Sequence, residues 1–238
     1  MIRKRLTREE SRELTAQRLV EAAKRLIARR GLDATSVEDF AEAAGYSRGA
    51  FYSNFKSKND LFSEVLRRDQ LLIDNEFNVA FDDAASLEEI RGRLREVYTR
   101  LYDSPDRFMI WTEARMLSVR DAKFRARFEA VIVERRDFMV KLIGYLCRRM
   151  GAQATVPLET LAMGLISLME GVRLFGASCP NALPPEIGHS ILDIFVDSVL
   201  KHAMQPIRSQ SAARQLTSSV LKCDVLSSEF HSNRPADR

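Results

Sequence analysis

The sequence predicts an all-α protein, with a small N-terminal three-helix unit ahead of a larger helical body. Three observations carry this. Apolar residues recur with the 3.6-residue period in nearly every segment. Apolar runs that would suit a strand, such as Val131-Ile132-Val133, sit inside longer helical stretches. Only 10 Gly and 7 Pro punctuate 238 residues, without a repeat, which excludes collagen, propellers and loop-rich sandwiches. At 45% hydrophobic and 29% charged residues the chain is not wholly disordered.

In the first helix Leu19, Ala22, Ala23, Leu26 and Ile27 form one stripe, and Arg29 and Arg30 precede Gly31, a basic-then-glycine stop. A short second helix starts at Thr35 or Ser36, either of which can cap it, and carries Val37, Phe40, Ala41 and Ala44 up to Gly45. Only Tyr46 separates it from Ser47, the cap of a third helix running from Arg48 to about Phe55. A fourth opens at Ser57-Lys58-Asn59-Asp60, a capping-box-like start, and continues through Leu61, Phe62, Val65, Leu66 and Leu72 to about Asn78.

Further helices are expected over 86–102, 105–119, 121–150, 157–176 and 185–203, with loops at 82–86, 103–106, 151–153 and 179–181. From Gln205 the chain is polar and serine-rich, a flexible tail with at most a weak helix near 209–222. The expected organisation is therefore 1–68, 69–204 and a tail over 205–238.

Charge is distributed unevenly. The net charge is +4, yet residues 1–68 hold 15 basic against 10 acidic side chains and the remainder holds 22 against 23. A basic first third that begins with Arg3, Lys4, Arg5, Arg8 and Arg12 suits either a polyanion partner or a merely solvated arm. Three widely spaced cysteines (Cys147, Cys179, Cys223) form neither a disulfide framework nor a C-x-x-C motif. No uninterrupted apolar run reaches the ~18 residues of a membrane span, and no apolar segment follows the basic start. A cytoplasmic protein without a membrane partner is expected.

Two short helices joined across Gly45-Tyr46 have the spacing of a helix-turn-helix. Phe51 and Phe55, four apart, would anchor the second of them, leaving Ser47, Arg48, Gly49, Tyr52, Ser53 and Asn54 outward. That face is rich in hydrogen-bonding groups. Its glycine costs ~1 kcal/mol relative to alanine inside a helix, which makes sense where a DNA backbone must approach. By spacing alone a bundle that never meets DNA stays open, and the basic bias of the same segment favours DNA.

The stretch Ala34–Phe62, within residues 15–66, closely resembles the DNA-binding domain of TetR-family transcriptional regulators. The resemblance rests on the pair Phe51-Tyr52, the Tyr52-x-x-Phe55 spacing and Lys58-x-x-Leu61-Phe62. It implies double-stranded DNA as partner, with phosphate contacts from Thr35 or Ser36, Tyr52 and Lys58. Arg48 would read base edges, with Ser47, Gly49, Ser53 and Asn54 close by; a plain phosphate contact is the other role open to Arg48. It further implies a repressor binding a palindromic operator as a homodimer, with a helical ligand-binding and dimerisation domain behind the helix-turn-helix.

The last two long helices are apolar almost all round, which suits burial against a second subunit or, alternatively, a place at the centre of a monomer core. The middle helices gather Tyr98, Tyr102, Phe108, Met109, Trp111, Met116, Phe128, Phe138 and Met139. Of these, Tyr102, Phe108, Trp111, Phe138 and Met139 are the candidate lining of a cavity for a small apolar or amphipathic effector. Glu113, Arg115 and Glu134 would orient a polar head group. An enzyme, or an all-α small-molecule carrier without DNA binding, is the rival reading. His189, His202 and His231 are too scattered for a metal pair, and no nucleophile elbow, P-loop or dinucleotide motif occurs. No metal or cofactor is expected.

Overall fold

The computed structural model describes residues 7–82, 104–199 and 204–206, and between them Ser86, Glu89, Gly92, Arg93, Glu96 and Thr99. Helix α1 spans Arg8–Arg30, α2 Val37–Ala43, α3 Arg48–Asn54, α4 Lys58–Asp82, α5 Pro105–Arg120, α6 Ala122–Arg149, α7 Leu158–Ser178 and α8 Pro185–Ser198. Glu89, Gly92, Arg93, Glu96 and Thr99 are helical, within the stretch expected over 86–102. The all-α class holds.

Two short strands were not foreseen. Ala152–Ala154 (β1) pairs antiparallel with Met204–Pro206 (β2), Gln153 opposite Gln205. Three-residue strands are too short to show a period, so residues 151–153 read as a loop. The pairing also carries backbone structure past the expected tail boundary at 204/205. The weak helix expected near 209–222 and the basic residues Arg3, Lys4 and Arg5 lie outside the described residues, whereas Arg8 and Arg12 belong to α1.

Local signals set the helix ends. Thr7 and Glu10 form a reciprocal capping box on α1, and Gly31 ends it at φ +78°. At the start of α4, Ser57 Oγ accepts from Asp60 N at 3.1 Å, while the Asp60 carboxylate accepts from Lys56 N. Ser104 caps α5 ahead of Pro105, and Asp121 Oδ1 accepts from the N–H groups of Lys123 and Phe124 at the start of α6.

Helix α4 runs unbroken through residue 68, where a domain boundary was expected. The reason is a shared core: Leu19, Val20, Ile27, Phe51, Phe62 and Leu66 cluster with Ile110, Trp111, Ala114, Phe124 and Phe128 of α5 and α6. Phe62 stacks on Phe124 at 5.4 Å, and Phe124 on Phe128 at 6.4 Å. A second core joins Ile73 to Met139, Leu142, Ile143, Leu161, Ala162 and Ile166. Leu72, expected on the buried stripe, is half exposed, and Ile73 takes the inward position.

Helix α7 is long and apolar enough to cross a membrane by length and mean hydropathy. No uninterrupted apolar run marked it, because Glu159, Glu170 and Arg173 break the sequence. It packs against α6 and α8, and Phe175, Ile187 and Ile194 of the pair remain exposed.

Candidate DNA interface and effector cavity

Helix α2 stops in a Schellman turn: Gly45 N–H donates to Glu42 O at 2.9 Å and Tyr46 N–H to Ala41 O at 2.8 Å, with Gly45 at φ +77°. Ser47 then caps α3, its Oγ accepting from Ala50 N. Phe51 and Phe55 are buried with their rings 6.0 Å apart, as the spacing predicts. Ser47, Arg48, Gly49, Tyr52 and Ser53 are exposed and Asn54 half-buried, so one helix face is solvent-facing and polar.

Within that face the side chains are preorganised. The Arg48 guanidinium lies 5.5 Å over the Tyr52 ring and pairs with Glu38 at 2.7 Å. Its pKa is raised, first by its hydrogen bond with Tyr52 and then by Glu38. Ser53 Oγ donates to Gly49 O, and Asn54 Nδ2 donates to Ala50 O. A Cβ on Gly49 would meet only Ser47 Oγ, at an ordinary 3.7 Å. Among the described residues no other atom comes within 4 Å of that position.

Thr35 and Lys58 are placed otherwise than expected. Thr35 is fully buried and its hydroxyl donates to Gly31 O at 2.8 Å, so it closes the α1–α2 turn. Ser36 is the exposed cap, its Oγ accepting from Asp39 N and donating to Asp39 Oδ2. These contacts hold the Asp39 carboxyl below its ordinary pKa. Lys58 directs its ammonium at the carbonyls of Leu32 (3.0 Å), Asp33 (3.5 Å) and Thr35 (2.9 Å). It staples α4 to the turn before α2. Exposed Lys56, just beyond α3, was not singled out from sequence because it lies outside the helix pattern.

Behind this unit, α4, α5, α6 and α7 enclose an open-sided cavity of about 370 Å³. Phe108 and Trp111 line it as expected, together with Ile73, Met116 and Leu174. Tyr102 lies outside the described residues. Phe138 and Met139 do not line it: Met139 is buried in the second core and Phe138 packs against that core. Glu113 points the opposite way along α5, accepting from Leu32 N–H at 3.0 Å beside Gly31. It ties α5 to the α1–α2 turn and orients no head group in the cavity.

The polar lining consists largely of guanidiniums. Arg107, Arg115, Arg135 and Arg173 face the cavity with one lining carboxylate, Glu170. Glu170 takes both Arg115 and Arg135, the latter at 2.8 Å. Arg107 Nε donates to both oxygens of Asp69 on α4, at 2.9 Å each.

Residues 19–65, from within α1 into α4, match the sequence model of the bacterial regulatory proteins of the tetR family. Residues 19–65 carry the signature of the tetR family. It is similar to the HTH-type transcriptional regulator AcrR of Shigella flexneri, at 46% identity over 26% of this chain. The chain spans 28% of the length of that relative. It is similar at 26% identity over 65% of its length, and 78% of the relative's, to the transcriptional repressor AcnR of Corynebacterium glutamicum. Among solved structures, a transcriptional regulator from Saccharomonospora viridis in complex with choline superposes with a TM-score of 0.62. That likeness has 21% identity and covers 80% of this chain and 97% of the other, and it shows a shared fold.

Of the cavity arginines, Arg115 was a candidate from the sequence, whereas Arg107, Arg135 and Arg173 were missed. A signal existed for Arg135: it occupies the buried stripe Phe128, Val131, Arg135, Met139, Leu142, where a charge has no place unless it is paired. Glu170 and Arg173 likewise interrupt the otherwise apolar middle of α7.

Proposed function

We propose that this chain is a ligand-responsive transcriptional regulator and not an enzyme: a repressor that leaves its operator when a small apolar or amphipathic molecule fills the α4–α7 cavity. The observation that carries the reading is the exposed α3 face, with Arg48, Tyr52 and Ser53 presented on buried Phe51 and Phe55. A helix so held can enter a major groove with its N-terminal residues at base edges. Ser36, Ser47, Gly49, Asn54 and Lys56 would meet backbone or bases around it. Thr35 and Lys58 would contribute by holding α2 and α3 in place.

The exposed apolar face of α7 and α8 supports a homodimer, and two-fold symmetry implies a palindromic operator with half-sites about one helical turn (~34 Å) apart. Repression is supported by the AcnR likeness. An effector is supported by the cavity and by the choline-bound neighbour. The test is selection of bound fragments from genomic DNA by the full chain, followed by a salt series on the selected duplex. A palindromic consensus and a steep loss of affinity with salt are expected. Absence of binding at low salt would overturn the reading.

A further inference from the structure

We propose that the corner where α5 meets α6 is a second DNA-contacting surface, which grips phosphates flanking each half-site outside the helix-turn-helix. This rests on the DNA-binding reading above and extends it into the larger helical body. The corner is fastened to the first turn of α4. Asn59 Nδ2 donates to Asp121 Oδ2 at 3.1 Å, and Arg127 Nη1 donates to Asp60 Oδ1 at 3.0 Å. Beneath these contacts Phe124 is buried and stacks on Phe62 of α4. The other oxygen of Asp60 accepts from Lys56 N–H at 2.9 Å. One carboxylate therefore bridges the start of α6 to exposed Lys56, just past the end of α3.

Residues 55–60 and 119–129 carry six cations, Lys56, Lys58, Arg120, Lys123, Arg125 and Arg127, against three carboxylates, Asp60, Asp121 and Glu129. Three of the cations are engaged inside the chain. Lys58 holds its three carbonyls, Arg125 donates to Ser118 O and Val119 O, and Arg127 pairs with Asp60. Asp121 is engaged too, accepting from Asn59 and from the N–H groups of Lys123 and Phe124. Glu129 stands four residues beyond Arg125 and so on that residue's side of α6. Lys123 instead shares a side with Arg127, the one turned to the first turn of α4. Lys123 meets Asp121 only through space. Lys56, Arg120 and Lys123 are exposed, and among the described residues their side chains make no hydrogen bond or ion pair.

Unpaired surface cations are ordinary; position gives these a partner. A recognition helix in a major groove about 12 Å wide leaves the chain just past its end at the phosphate rim. Lys56 occupies that place, and the Asp60 bridge sets the α5–α6 corner beside it. Cations there would release counterions from DNA beyond the half-site. Phosphate contacts carry no sequence information, so the surface adds affinity for longer DNA without changing the consensus.

The experiment compares two duplexes bearing the same selected operator, one ending at the half-sites and one extended by about one helical turn at each end. Affinity is measured over a salt series for the full chain, for the double variant Arg120→Gln with Lys123→Gln, and for Arg148→Gln, which removes a charge from the exposed far end of α6. The unmodified chain is expected to bind the extended duplex about tenfold more tightly than the short one at low salt. The double variant should lose that advantage and flatten the salt slope on the extended duplex by about 2–4 for a dimer. Its affinity for the short duplex should stay unchanged, which also reports an intact fold. Arg148→Gln should behave as the unmodified chain. An advantage retained in the double variant, an equal loss on both duplexes, or the same loss in Arg148→Gln would each overturn the proposal. An unmodified chain that binds the short duplex and gains nothing from the extension would overturn it while keeping the regulator. No binding of either duplex at low salt would overturn both readings.

Discussion

Trp111 donates its indole Nε1–H to Asp69 Oδ2 at 2.8 Å, so one wall of the cavity is hydrogen-bonded to α4. Asp69 is buried, and its other partner, Arg107, also lines the cavity. The N-terminal end of α4 carries Lys58, which grips the turn from which α2 and α3 depart. A ligand that moves Trp111 or Arg107 therefore acts on the helix that positions the DNA-facing unit. Both contacts lie on α4, with no loop between them.

Trp111→Phe keeps the ring in the core and removes the donor. Loss of one hydrogen bond to a buried carboxylate should lower stability by about 1–3 kcal/mol in a urea titration. The more telling readout is coupling. Operator affinity without effector should be retained, while its reduction by bound effector shrinks from the usual 5–150-fold range toward unity. An unchanged reduction would show that the signal bypasses Asp69.

Lys58 and Arg48 should separate cleanly. Lys58→Met should destabilise the fold by about 1–3 kcal/mol, because the charge-assisted contacts to the carbonyls are lost. The slope of DNA affinity against salt should stay the same. Arg48→Ala should leave stability nearly unchanged, since exposed ion pairs contribute ~0.2–1 kcal/mol. It should cost about 1–3 kcal/mol of discrimination at one base pair per half-site. A flattened salt slope in Lys58→Met would return that lysine to the DNA backbone.

Asp74 carries a pH dependence with a definite sign. Burial pushes its carboxyl from 3.8 up to about 6, against the lowering effect of the Gln70 amide, whose Nε2 donates to it at 2.6 Å. A raised carboxyl favours the folded state when protonated. Its contribution is complete below the unfolded value and is lost as pH rises through about 6. Stability should therefore fall by on the order of 1 kcal/mol between about pH 4 and pH 6.5, after allowance for partial solvation, and the melting temperature with it. Asp74→Asn should remove that part of the profile; the same slope in the variant would assign it to another group.

Phe175 and Ile194 are 61% and 69% exposed on neighbouring helices, too much apolar area for an idle surface. Ile194→Arg should halve the mass seen by light scattering at micromolar concentration with the helical circular dichroism retained. An unchanged mass in Ile194→Arg and in Phe175→Glu would place the dimer contact elsewhere or remove it.

What the sequence determined by itself was what neighbours along the chain decide. The cap at Ser47, the stops at Gly31 and Gly45, and the buried pair Phe51 and Phe55 all follow from contacts within four or five residues, and each lies where the pattern placed it. The tertiary structure decided what depends on which helix face meets which. Thr35 and Ser36 are chemically alike as caps, yet packing buries Thr35 and leaves Ser36 outside. Glu113 and Glu170 are alike as head-group carboxylates, yet rotation along α5 sends Glu113 to Leu32 while Glu170 enters the cavity. Lys58 carries a charge that sequence alone assigns to phosphate, but three carbonyls more than twenty residues upstream are already within its reach. Periodicity names the buried face of a helix; only the assembled bundle says whether that face meets a core, a cavity or another turn.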